Sequence, residues 1–75
     1  MDGVILSARI DRDADKLLAQ IARAGSMIVA AKAGARADGF VLGLESARAV
    51  ADETIEQLYV IFDNATEERL KALSK

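Results

Sequence analysis

The chain has no cysteine, no histidine, no proline and no tryptophan. Without cysteine there is no disulfide and no thiolate to act as nucleophile or metal ligand. Without histidine the commonest metal ligand and general base is missing. The lack of cysteine also fits a reducing compartment. With no proline, nothing in the covalent structure forces a helix to stop. Aromatic residues make up only 4% of the chain, with a single tyrosine, so platforms for stacking nucleobases are not expected. Neither sign of charge dominates: ten basic residues face twelve acidic ones, and a net charge of −2 exerts no global pull on nucleic acid or anionic membrane. No long hydrophobic run is present. The longest nearly uncharged stretch, residues 24–31, falls well below the ~20 residues of a membrane span. Met1-Asp2-Gly3 is not a basic signal-peptide start, and the apolar residues 4–6 are too few for its hydrophobic region. A cytoplasmic location without membrane attachment is the expectation, and no cofactor is called for.

The 75 residues fit one helical domain, residues 1–75, near the lower limit for a self-sufficient core. A chain of about 60 residues buries only ~60% of the surface it exposes when unfolded. Small domains are therefore stapled by disulfides, metals or oligomerisation, and only the last is open to this chain. Hydrophobic residues reach 52%, which argues against disorder, and alanine is the most frequent residue. An all-α fold follows: an antiparallel hairpin of two long helices with a short C-terminal helix, oligomerising into a bundle.

The clearest periodicity spans residues 38–63. Phe40, Leu44, Ala47, Ala51, Ile55, Leu58 and Phe62 recur at spacings of three and four, with Glu45, Arg48, Asp52, Glu56 and Asp63 opposite. Asp38 is a candidate N-cap, and Asp38-Gly39 reads as the preceding turn. An earlier helix is expected over residues 11–37, on the stripe Ala14, Leu17, Ile21, Ala24, Ile28, Ala31 and Ala35. Beyond Arg23 its outer face turns apolar through Met27, Ala30 and Gly34, as in a helix buried on both sides. Asn64-Ala65-Thr66-Glu67 has the form of a capping box, so the short third helix is placed at residues 65–73. Residues 4–10 read equally as a strand or as the start of the first helix. A mixed α/β alternative stops the first helix before Gly25 and pairs residues 26–31 with 40–44 as a hairpin; residues 26–44 remain open between the two readings.

Folding the long helices about Ala37-Asp38 sets Leu17, Leu18 and Ile21 against Ile55, Leu58 and Tyr59, and Ile28 against Ala47 and Ala51. Apolar surface is left over, and the candidate oligomer or partner interface is Met27, Val29, Ala30, Leu58, Tyr59, Val60 and Ile61. A two-fold dimer giving a four-helix arrangement is the simplest solution.

Candidate chemistry is sparse. Asp52, Glu53 and Glu56 suggest a shared proton or metal, but Glu53-Thr54-Ile55-Glu56 lacks the histidine of carboxylate di-metal bundles, and a solvated helix face is expected. Gly25, Gly34, Gly39 and Gly43 form no phosphate loop; Gly25 and Ser26, with Ala22, Ala30, Ala33 and Gly34, suit close helix approach. Arg9, Arg12, Lys16 and Arg23 are interleaved with Asp11, Asp13 and Asp15, so their field is expected to cancel largely. Residues 4–11, Val-Ile-Leu-Ser-Ala-Arg-Ile-Asp, followed by Asp15-Lys16-Leu17-Leu18, resemble the opening of ribbon-helix-helix repressors. That resemblance covers residues 1–25 at most and implies a DNA-reading strand followed by a helix. Met27-Ile28-Val29 departs from the Ser/Arg-rich turn that opens the family's second helix, and the acidic balance argues against nucleic acid.

No group here activates a nucleophile or tunes a base, so an enzyme is not expected. The reading is a non-enzymatic helical homo-oligomer, most simply a dimer, that binds an unidentified protein partner as a regulatory module, adaptor or phage-type inhibitor. A ribbon-helix-helix-like DNA-binding regulator and a small-ligand binder with a pocket between protomers are the alternatives.

Overall fold

A computed structural model describes residues 6–75. Helix α1, Ala8–Arg23, begins where Ser7 supplies an N-cap: its Oγ accepts a hydrogen bond from the Ile10 N–H at 3.3 Å. That satisfies one of the donors a first helical turn leaves without an intrahelical partner. Asp11 in the first turn and Arg23 in the last complement the helix dipole. The helix stops at Arg23, and Ala24, Gly25 and Ser26 link it to α2, Met27–Ser46. Ser26 repeats the Ser7 device, its Oγ accepting from the Val29 N–H at 3.1 Å. Helix α3, Asp52–Leu73, follows a five-residue turn, residues 47–51. Its N-cap position is Ala51, which has no capping side chain; Asp52 and Glu53 supply negative charge to the first turn instead.

Three contacts set the directions. Gly34 of α2 lies against Thr66 of α3. Further along, Asp38 of α2 meets Asp63 of α3. The two helices are therefore antiparallel. Arg69 Nε donates to the Ala24 carbonyl oxygen at 2.9 Å, which brings the C-terminal end of α3 to the C-terminal end of α1. Those two helices run in parallel, and the order is up-down-up. The Arg69 contact also satisfies a carbonyl at the end of α1 with a cation, the favourable sign for that terminus.

The core joins Ala14, Leu17 and Ile21 of α1, Ala37 and Val41 of α2, and Ile55, Leu58 and Phe62 of α3. Bulk comes mainly from α1 and α3, whereas α2 turns the small residues Ala30, Gly34 and Ala37 inward. Small against large fills the space without voids.

The helices cover 83% of the described residues, and none of those residues is in a strand. The all-α reading stands, and the mixed alternative does not, since residues 27–44 are continuous helix behind the Ser26 cap. The hairpin of two long helices is α2–α3, one element later than expected, and the shorter helix precedes it. The stretch 11–37 is broken at residues 24–26 because Gly25 has poor helix propensity and Ser26 caps a new start. Asp38-Gly39 is not a turn: the inward stripe Ala30, Ala37, Val41 runs straight through it, and packing outweighs the local preference. Asn64 is interior to α3 and caps nothing, while Thr66 Oγ1 donates back to the Phe62 carbonyl at 2.8 Å. Ile28 is exposed and does not meet Ala47 or Ala51. Of residues 4–10, the first two lie outside the described residues, and Ala8, Arg9 and Ile10 are the first turn of α1, where the ribbon-helix-helix resemblance implied a strand.

Candidate functional site

Helix α2 carries two stripes. Ala30, Gly34, Ala37 and Val41 point inward. Ile28, Ala31, Ala35, Gly39, Leu42 and Gly43 recur at the same helical spacing on the opposite side, and all six are exposed. Ile28 is 70% exposed and Leu42 55%. Three glycines in one helix cost about 1 kcal/mol each relative to alanine. Gly34 has a reason within the fold: a Cβ there would press into the Thr66 side chain, 2.8 Å from Cγ2. A Cβ at Gly39 or Gly43 would meet nothing within 4 Å. The fold of one chain gives no reason for either.

The interface residues expected from sequence do not form one patch. Met27 and Val29 are each 50% exposed, at the start of α2, and Val60 is 58% exposed on α3. The Gly34–Thr66 and Asp38–Asp63 contacts place Val60 level with Leu42, about 20 Å along the helix from Met27 and Val29 at 1.5 Å per residue. Tyr59 and Ile61 are half-buried. Ala30 and Leu58 are sealed in the core and cannot meet a second chain in this fold. Ile28 and Leu42 are exposed apolar residues that the sequence does not single out. A single helix over residues 11–37 puts Ile28 in the core stripe, and the phase of Phe40 to Phe62 hides the outward direction of Leu42. The signal that would have found them is Ser26, since a helix starting there sets Ile28 a half-turn away from Ala30.

A second feature lies between α1 and α2. Gln20, Arg23, Val29, Lys32, Ala33 and Arg36 line an open groove of about 390 Å³. It continues over the outer side of α1 along Arg12, Asp15, Lys16 and Ala19, sharing Gln20 and Arg23. Five of the ten basic residues of the chain thus collect along one concave surface, with Asp15 the acidic residue on its lining. Of the acids that alternate with these cations in sequence, Asp15 shares the lining, whereas Asp11 and Asp13 are half-buried and outside it.

The third feature is a carboxyl pair between α2 and α3. Asp38 is half-buried, and its Oδ1 is sealed from solvent without a hydrogen-bond donor. Burial, a hydrogen bond with Asp63 and the Asp63 charge raise the Asp38 pKa above the ordinary carboxylate value. Both groups accept hydrogen bonds when ionised, so they bond to each other only with a proton between them. The neighbouring Tyr59 hydroxyl is also pushed up, by burial first and then by Glu45, Asp38 and Asp63.

Asp52, Glu53 and Glu56 are exposed at the start of α3. No cluster of three or more ligating side chains suited to a metal ion occurs among the described residues. Nor is any helix among them long and apolar enough to cross a membrane. The chain matches no protein-family model, and neither the curated proteins nor the solved structures include one similar to it.

Proposed function

We propose that this chain is a non-enzymatic helical interaction module, which pairs with a second copy of itself through the outer face of α2 and serves as an adaptor or regulator of another protein. The observation that carries the reading is the outward stripe of α2, with exposed Ile28 and Leu42 and two glycines that the single chain does not use. A helix apolar on both sides is stable when both are covered. Small residues at spacings of four, Ala31, Ala35, Gly39 and Gly43, let a second backbone approach closely while the larger side chains interdigitate. A two-fold axis across α2 makes the contact self-complementary and closes the assembly as a dimer. Sedimentation velocity at micromolar concentration tests this. The wild-type chain is expected to sediment as a dimer, and Leu42→Glu as a folded monomer with an unchanged helical circular dichroism spectrum. A wild-type chain that stays monomeric overturns the reading.

A further inference from the structure

The groove between α1 and α2 adjoins the outer stripe of α2 at Lys32 and is otherwise built from residues the dimer proposal does not use. Lys32 and Arg36 of α2 face Gln20 and Arg23 of α1 across it, and Arg12 and Lys16, with Asp15 beside them, extend the basic ridge along the outer side of α1. Its floor is small and apolar, Ala19, Val29 and Ala33, with no aromatic ring. The basic ridge along α1 runs for about three helical turns, or roughly 16 Å at 1.5 Å per residue, from Arg12 to Arg23, and the groove shared with α2 lies at its Arg23 end. It is concave and basic on a protein of net charge −2.

We propose that this groove is a docking site for an acidic amphipathic helix of a partner protein, whose carboxylates meet Arg12, Lys16, Arg23, Lys32 and Arg36 while a small apolar ridge settles on Val29 and Ala33. Charge complementarity selects the sign of the partner, and an apolar floor between two basic rims selects a helix that alternates acid and aliphatic residues at three-to-four spacing. A nucleic acid fits less well. It would find no ring to stack on, and Asp15 lies among the cations that would meet its phosphates. The proposal deepens the interaction-module reading, since it names the chemistry of the partner.

The probe is a fluorescein-labelled synthetic helical peptide of about three turns, with glutamates flanking a leucine stripe, read by fluorescence anisotropy against the full chain. Saturable binding is expected that weakens with salt and falls about tenfold or more in Lys32→Glu/Arg36→Glu. Lys71→Glu/Lys75→Glu changes the net charge equally, away from the groove, and is expected to bind as the wild type does. Circular dichroism melts confirm that each variant folds. Three results overturn the proposal: no salt-sensitive binding of the peptide, equal losses in the two double variants, or tighter binding of a single-stranded DNA of matched charge. It is also overturned if the wild-type chain self-associates at low salt in a way that the Lys32/Arg36 reversal abolishes, because the groove is then filled by a second copy. Failure here leaves the α2 dimer intact in sedimentation, whereas failure of the dimer shows as a monomer that still binds the peptide.

Discussion

Arg48 has φ 52°, a left-handed conformation that side chains other than glycine rarely hold. It ends α2: the Arg48 N–H bonds to the Glu45 carbonyl at 3.1 Å and the Ala49 N–H to the Leu44 carbonyl at 3.0 Å, the paired closure that terminates many helices with glycine at this position. Arg48→Gly is expected to stabilise the chain by about 0.5–1 kcal/mol, read as a higher urea midpoint at unchanged slope. Asp38 is the other residue held against its preference. Its pKa is raised in the fold, chiefly by burial and then by Asp63, with Tyr59 also close by. The folded chain therefore binds this proton more tightly than the unfolded chain. The contribution to stability is full below the ordinary carboxylate pKa and is lost as pH rises through the raised folded value. Asp38→Asn keeps the shape, supplies a permanent donor to Asp63 and removes this titration. Thermal melts across a pH series should show the variant more stable than the wild type at neutral pH, with the difference shrinking on acidification.

At the scale of elements, the crossing of α2 and α3 depends on Gly34. Thr66 is held by its own hydrogen bond to the Phe62 carbonyl and cannot swing aside freely, so the methyl of Gly34→Ala forces the helices apart. Overpacking costs about 1–3 kcal/mol and exceeds the ~1 kcal/mol that alanine returns in helix propensity. Gly39→Ala and Gly43→Ala meet no such obstacle in one chain. Each is expected to raise the stability of the folded protomer by about 0.5–1 kcal/mol while weakening self-association, because the added methyls stand between the paired helices. Denaturation and sedimentation of the same variants read the two effects, which have opposite signs at the outer face and only a destabilising sign at Gly34.

For the whole molecule the question is how a chain of 75 residues without disulfides keeps its fold. The core is few in number but continuous through all three helices, and Leu58 is at its centre with no exposed surface. Leu58→Ala is expected to cost about 2–5 kcal/mol, from lost transfer energy and the cavity left behind. A domain of this size has a total of about 5 kcal/mol at the low end of the usual range, so the variant should be largely unfolded. Glu56→Ala, on the exposed side of the same helix, should change stability by less than about 0.5 kcal/mol. Thermal melts of the two at matched concentration make the comparison, and similar midpoints would contradict the packing of α3.

Composition and period by themselves determined that this chain is helical, that Leu17, Ile21, Ile55, Leu58 and Phe62 are core, and that α2 is apolar on more than one side. These are local properties: alanine and the absent proline favour helix everywhere, and a stripe at three-to-four spacing marks a buried face wherever the helix begins. Only the tertiary structure decided where the chain turns. The α2–α3 turn falls among Ala47, Arg48, Ala49, Val50 and Ala51, without glycine, proline or a capping side chain, and the apolar spacing from Phe40 to Phe62 continues in phase across it. The strong local signals, Asp38-Gly39 and Asn64, lie inside helices because the inward stripes of α2 and α3 bury more apolar surface unbroken than a turn there would leave covered. The basic groove was illegible for the same reason. Arg12, Lys16 and Arg23 are interleaved with aspartates in sequence, and Lys32 and Arg36 come to face Arg23 only after Gly25 and Ser26 reverse the chain.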